Sequence, residues 1–256
     1  MKNSYLQSLI KKIEKKTRKL IYSDELKSLI KNLMQENYHD TKAYKLIYYL
    51  KNKWYLISLK KNIFYVKKPD EIYDENEIVE KWYRSILYEH CRSTLHTKRY
   101  IWGLKALEIH YNNFEIPDKI LIVNEKKQSQ EMALALQAIQ FKKYTSRWNN
   151  LFKKFKKYTK KTKIWRKIFA VANKELALLE CMFNHDDMFN KEVYIFVKKI
   201  IKRSTQFDIQ VISSLIKMGK HHTSINRLYQ IAKENNKTFA KQLAEIIKKY
   251  SFFLDV

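Results

Sequence analysis

Two glycines, Gly103 and Gly219, and two prolines, Pro69 and Pro117, are all that the chain has to punctuate 256 residues. A β-sandwich places turn signals roughly every 8–12 residues, and a phosphate-cradling loop clusters its glycines, so this chain is suited to neither. Mostly helical structure follows. Hydrophobic residues make up 45% of the sequence, enough to fill packed cores and to exclude a disordered chain.

Lysine and arginine number 52 against 26 acidic residues, a formal charge of +26. Such an excess repels itself unless an anionic partner shares the surface, and nucleic acid is the expected partner. A membrane role is not expected, because the apolar runs are as short as 120–123, far below spanning length. The lysines near the N-terminus (Lys11, Lys12, Lys15, Lys16) sit within a helical pattern with no apolar stretch behind them, unlike a signal peptide. The cysteines, Cys91 and Cys181, lie ninety positions apart without CxxC spacing, which fits a reducing cytoplasm and no disulfide framework. His90, Cys91 and His96 lack a fourth ligand nearby, so no structural metal and no cofactor is expected.

Apolar residues at Tyr5, Leu6, Leu9, Ile10, Ile13 and Leu20 recur at helical spacing and predict a first amphipathic helix over 5–20. Ser23, with Asp24 and Glu25 after it, predicts the capped start of a second helix running to about Met34. After a short polar stretch, Asp40 is the expected cap of a third helix with the stripe Ala43, Leu46, Ile47 and Leu50. Two β-rich runs follow, 54–59 and 63–66, separated by Lys60, Lys61 and Asn62: a hairpin with a basic tip. Three helices closed by a hairpin is the winged helix-turn-helix order. Residues 1–68 hold 17 basic and 5 acidic residues, a net +12.

From Pro69 the composition turns acidic (Asp70, Glu71, Asp74, Glu75, Glu77, Glu80), so 69–80 reads as a linker and 81–256 as a second domain. Helical periodicity resumes through Ile78, Trp82, Ile86 and Leu87, and a second apolar set follows at Ile101, Leu104, Leu107 and Ile109. Residues 119–123 and 169–172 are strand candidates, and Asn173 is the expected cap of a helix carrying Leu176, Leu179 and Met182. Amphipathic stretches near 192–203, 207–217, 224–234 and 238–250 give a helical tail without a repeat period. The fold expected is α+β and predominantly helical: an N-terminal winged helix-turn-helix, then a mixed C-terminal domain with a small sheet.

The third helix, opposite its apolar stripe, carries Thr41, Lys42, Lys45, Tyr48, Tyr49 and Asn52, side chains suited to phosphates and base edges in a major groove. Lys60 and Lys61 would grip the backbone beside it. A second basic surface is expected within 142–167, which holds twelve Lys or Arg and no acid; Lys153, Lys154, Lys156, Lys157, Lys160 and Lys161 are its candidates. Its aromatics (Tyr144, Trp148, Phe152, Phe155, Tyr158, Trp165) are open to two readings, stacking on exposed bases or filling the buried stripe of a helix.

Pro117, Asp118, Glu125 and Lys127 superficially match a PD-(D/E)xK nuclease pattern. Seven extended residues put roughly 23 Å between Asp118 and Glu125, too far to share a metal. Glu175 and Glu180, on one predicted helix without a metal set, read as surface charges. No catalytic residue is expected.

Three segments carry a family resemblance: "YLKNKWYLISLKKNIFYVKK" at 49–68, "YIWGLKALEIHYN" at 100–112 followed by "KILIV", and "KIFAVANKELALLECMF" at 167–183. Their order resembles the AbiEi family, the antitoxin and transcriptional-repressor half of AbiE toxin-antitoxin systems. The resemblance implies a regulator that binds repeats of double-stranded DNA in its own promoter and counteracts a nucleotidyltransferase-like toxin, without requiring a stable complex with it. Two other classes stand beside this reading: a structural or RNA-binding subunit of a nucleoprotein assembly, and a metal-dependent nuclease.

Overall fold

The structure is a computed structural model that describes residues 3–15, 20–53, 55–60, 62–68, 70–72, 74–94, 99–124, 130–134, 137–143, 156–164, 167–183, 191–203, 207–219 and 221–250. It is α+β, mostly helical with small sheets, and divides into two compact units, 1–94 with 132–139 and 95–131 with 140–256. The first unit therefore takes in both the acidic segment and the helix after it.

In the first unit the order is α1 (Asn3–Glu14), β1 (Leu20–Tyr22), α2 (Ser23–Met34), a 3-10 turn (Gln35–Asn37), α3 (Asp40–Asn52), β2 (Leu56–Lys60), β3 (Ile63–Val66) and α4 (Glu75–Thr94). The first sheet runs β1-β3-β2, antiparallel throughout, with Leu20 opposite Tyr65 and Leu56 opposite Val66. Leu9, Ile13, Ile21, Leu26, Ile30, Ala43, Leu46, Leu50 and Phe64 form one buried cluster, so the helices and sheet share a core. The stripe expected on α3 is buried as predicted.

Three local expectations are corrected. Helix α1 ends at Glu14, and Leu20 belongs to a strand, because a β-rich Leu-Ile-Tyr triad gains a ladder with β3 that a longer helix would forgo. Ser23 and Asp40 are first helical residues rather than caps; Tyr22 and His39 precede them in extended conformation and give no side-chain cap. Ser23 instead donates its N–H to the Asn62 carbonyl (3.0 Å), and Asp40 accepts from the Tyr38 hydroxyl (2.7 Å). Asn62 turns the hairpin at φ 69°, a left-handed conformation that asparagine tolerates. Gln35, just after α2, has φ 47° and ψ −120°.

The acidic segment is structured where it meets α4. Asp74 and Glu77 form a reciprocal box, the Glu77 N–H donating to Asp74 (2.9 Å) and the Asp74 N–H to Glu77 (3.0 Å). Glu71 accepts from the Tyr65 hydroxyl with both carboxylate oxygens (3.0 and 3.1 Å), tying the segment to β3. Helix α4 buries Ile78, Val79, Tyr83, Ile86 and Leu87 and packs on β2.

The second unit contains β4 (Arg99–Ile101), α5 (Gly103–His110), β5 (Lys119–Asn124), β8 (Thr159–Ile164), β9 (Lys167–Ala172), α6 (Lys174–Cys181), α7 (Lys191–Arg203), α8 (Ile209–Gly219), α9 (His222–Asn235) and α10 (Lys237–Lys249). With β6 (Gln130–Leu134) and β7 (Gln137–Lys143), the strands make a second sheet ordered β6-β7-β5-β4-β9-β8. Ile120 to Asn124 of β5 are all buried, the signature of a strand covered on both faces. Strand β4 pairs antiparallel with β5 and parallel with β9, where Ile101 faces Val171. Asn173 caps α6 as expected, accepting the Leu176 N–H (2.9 Å). Asn236 caps α10 in the same way through Phe239 (3.0 Å). The four expected tail stretches are α7 to α10.

Candidate functional site

Helix α3 has two faces of different chemistry. Ala43, Leu46, Ile47 and Leu50 are buried on one side. On the other, Thr41, Tyr44, Lys45, Tyr48, Tyr49 and Asn52 line an open hollow of about 530 Å³. Their spacing of i, i+3, i+4, i+7, i+8 and i+11 is what brings them to one stripe of a helix. Three large rings stand out into solvent there: Tyr44 is 56% exposed, Tyr48 65% and Tyr49 42%.

Lys27 of α2 reinforces this face. Its ammonium donates to the Tyr44 hydroxyl at 2.8 Å and lies 4.2 Å from the centre of the Tyr44 ring. That hydrogen bond raises the Lys27 pKa above its ordinary value. Lys53 sits 6.0 Å from the Tyr49 ring centre. At the helix start, the bond to Asp40 raises the Tyr38 hydroxyl's pKa and holds it protonated as a donor.

Five of the six residues expected on this helix meet in the hollow. Lys42 stands apart, its ammonium reaching back to the Asn37 carbonyl (3.4 Å). Lys60 ends β2, and Lys61 lies outside the described residues. Tyr44 and Lys27 were not anticipated: Tyr44 was legible from the same i, i+3, i+4 spacing, whereas Lys27 joins the site only because α2 packs against α3.

No family model and no curated protein matches the sequence. Among solved structures, the chain is similar to the crystal structure of the RV2827C protein from Mycobacterium tuberculosis, with a TM-score of 0.59 and 10% identity over 96% of this chain and 81% of that one. The likeness shows a shared fold.

The second basic tract is described in part. Lys153 and Lys154 lie outside the described residues, and Lys156 opens a 3-10 turn. Lys157 is exposed, 4.8 Å from the centre of the Tyr158 ring, which is buried. Lys160, Lys161 and Lys163 are exposed on β8, an edge strand of the second sheet. Lysines on an edge strand also block unwanted strand pairing, so their exposure has a structural explanation that the tyrosines of α3 lack.

The reading of Glu180 as a surface charge is overturned. It is 1% exposed on α6, accepting from the Tyr100 hydroxyl (2.8 Å) and from the Gly103 N–H (3.0 Å) at the start of α5. Burial raises its pKa well above 4.5, and the hydrogen bonds it accepts offset only part of that shift. Glu175 is half-buried and accepts the Asp208 N–H (3.2 Å). His221 is buried too, its imidazole pushed down to about 4 by desolvation and so held neutral.

A separate cavity of about 480 Å³ in the second unit is lined by Lys105, Glu108, Asp118, Lys119 and Glu192 among others. Lys105 is buried against Glu108 at 2.8 Å. Asp118 is exposed just before β5, while Glu125 and Lys127 lie outside the described residues. His90 and Cys91 are buried on α4, and His96 lies outside the described residues. Among the described residues, no group of three His, Cys, Asp or Glu is placed to hold a metal. No described helix is long and apolar enough to cross a membrane.

Proposed function

We propose that the chain is a DNA-binding transcriptional regulator whose first unit works as a winged helix-turn-helix, with α3 as the recognition helix and the β2–β3 hairpin as the wing. The element order and the β1-β3-β2 sheet support this reading. The observation that carries it is the outward face of α3, where Thr41, Lys45, Tyr48, Tyr49 and Asn52 form one stripe in a region of net charge +12. A helix fits the major groove, lysine neutralises phosphate, and asparagine can read a base edge. Lys42, Lys60 and Lys61 would meet the backbone at its margins.

In the finer reading, the duplex is an operator repeat in the chain's own promoter and the protein is the antitoxin of an AbiE-type pair, acting in the cytoplasm against a nucleotidyltransferase-like toxin. What supports it is the AbiEi-like order of the three sequence segments. No catalytic role is assigned. A nucleotidyltransferase encoded beside this chain is the expected genomic arrangement.

The test is duplex binding followed by fluorescence anisotropy at fixed salt. A duplex selected from a random pool should bind, and Lys45→Ala should weaken it roughly 5- to 50-fold while reducing the salt slope by about one. Charge reversal at Lys60 and Lys61 should weaken all sequences alike. Unchanged affinity in both variants sinks the reading, and a preference for RNA or single strands transfers the function to the lysines of β8.

A further inference from the structure

We infer that the α3 face selects A·T-rich duplex by seating the 5-methyl groups of thymine against Tyr44, Tyr48 and Tyr49, with Asn52 directed to adenine. The inference rests on the proposal that α3 enters the major groove, and it adds which bases are read.

Between residues 19 and 83 the sequence has no arginine, so of the two residue types that take the acceptors of guanine only lysine is present here. Among the described residues, the hollow is lined by a single cation, Lys45, and a single amide, Asn52. Asparagine's donor and acceptor together match the acceptor and donor that adenine shows in the major groove. The remaining area is largely aromatic carbon.

Thymine is the base that offers an apolar group to this groove, and a methyl group on a ring face or edge is the contact that tyrosine can make. Thr41 to Asn52 is eleven steps of about 1.5 Å, about 16 Å along the helix axis, enough to follow roughly five base pairs. Tyr44 is also held in place: the Lys27 ammonium on its hydroxyl orients the ring and puts a positive charge at its polar end, on the side where a phosphate would lie.

Exposed rings on one helix face need a partner to cover them, and a second copy of this chain is the competing occupant. Net charge decides between them. Residues 1–94 and 132–139, the first unit, hold 20 basic and 12 acidic residues, a net +8, so two copies repel, whereas a duplex supplies the opposite sign along its whole length.

The test uses the full chain and a duplex selected from a random pool, resynthesised with deoxyuridine in place of thymidine. That exchange removes the methyl groups and leaves every hydrogen-bonding group of the bases. We expect an A·T-rich selected sequence, roughly 5- to 20-fold weaker binding of the deoxyuridine duplex, and a Tyr48→Ala variant that loses affinity for the thymidine duplex but hardly distinguishes the two. Circular dichroism of Tyr48→Ala, whose ring is mostly exposed, checks that it folds. Equal binding of thymidine and deoxyuridine duplexes, or selection of G·C-rich sites, overturns the methyl readout while leaving duplex binding standing. A folded protein that binds no duplex overturns both, and a dimer that Tyr48→Ala dissociates would assign the face to a second copy.

Discussion

Helices α3 and α6 handle polarity in opposite ways. In α3 the apolar side chains face the core and three tyrosines, a lysine and an asparagine face solvent. In α6, Leu176 to Cys181 are all buried, so its one carboxylate in that run, Glu180, must find partners inside the protein. The contrast teaches that exposed and buried polar groups answer different questions. A buried carboxylate met by a hydroxyl and a helix-end N–H is explained by the fold itself. Large rings left exposed together on one helix face point outward to a partner.

The contrast breaks if binding and stability respond to the same substitutions. Glu180→Ala has the largest expected effect, because it strands the Tyr100 hydroxyl and the Gly103 N–H: a loss of roughly 3 kcal/mol in chemical denaturation, with duplex affinity unchanged under conditions where the variant is folded. Lys45→Glu should do the reverse, lowering duplex affinity on the order of 30-fold, about 2 kcal/mol, with no shift in melting. Coupled losses in either variant would remove the distinction.

A pH series sharpens it. The Glu180 pKa is raised in the folded state, so its contribution is fully present below about 4.5 and is lost as pH rises toward the folded value. Wild-type stability should therefore fall relative to Glu180→Gln as pH increases above 4.5, by at most about 1.4 kcal/mol per unit. A difference between the two proteins that stays constant from pH 4 to 8 counts against the buried carboxyl. Asp74→Ala, which opens the box at the start of α4, is the smallest change, about 1 kcal/mol in the same denaturation assay. It should leave duplex affinity alone.

Much of the architecture was legible because helical periodicity is a local signal. Helices α7 to α10 fall on the stretches expected, and Asn173 caps α6 where a side chain with the right reach precedes an apolar run. Strand β1 was hidden because Leu20 continues the apolar spacing of α1, and only pairing with Tyr65, 45 positions later, makes it a strand. Glu180 misled for a similar reason. Its partners, Tyr100 and Gly103, lie 80 and 77 residues upstream, and nothing adjacent in the chain marks the site as buried. Most of the α3 face was readable from one helix, while Lys27 needed the packing of a neighbour 17 residues away.

Gln35, between α2 and the 3-10 turn that leads to α3, holds φ 47° and ψ −120°, a backbone state that glycine visits freely and a longer residue resists by roughly 1–2 kcal/mol. The elbow is thus imposed by the surrounding sheet and helices rather than encoded in its own residues. A peptide cut to the two helices alone would relax there and lose the angle between them, so α3 cannot be grafted onto another scaffold as a helical pair; β1, β2 and β3 have to travel with it.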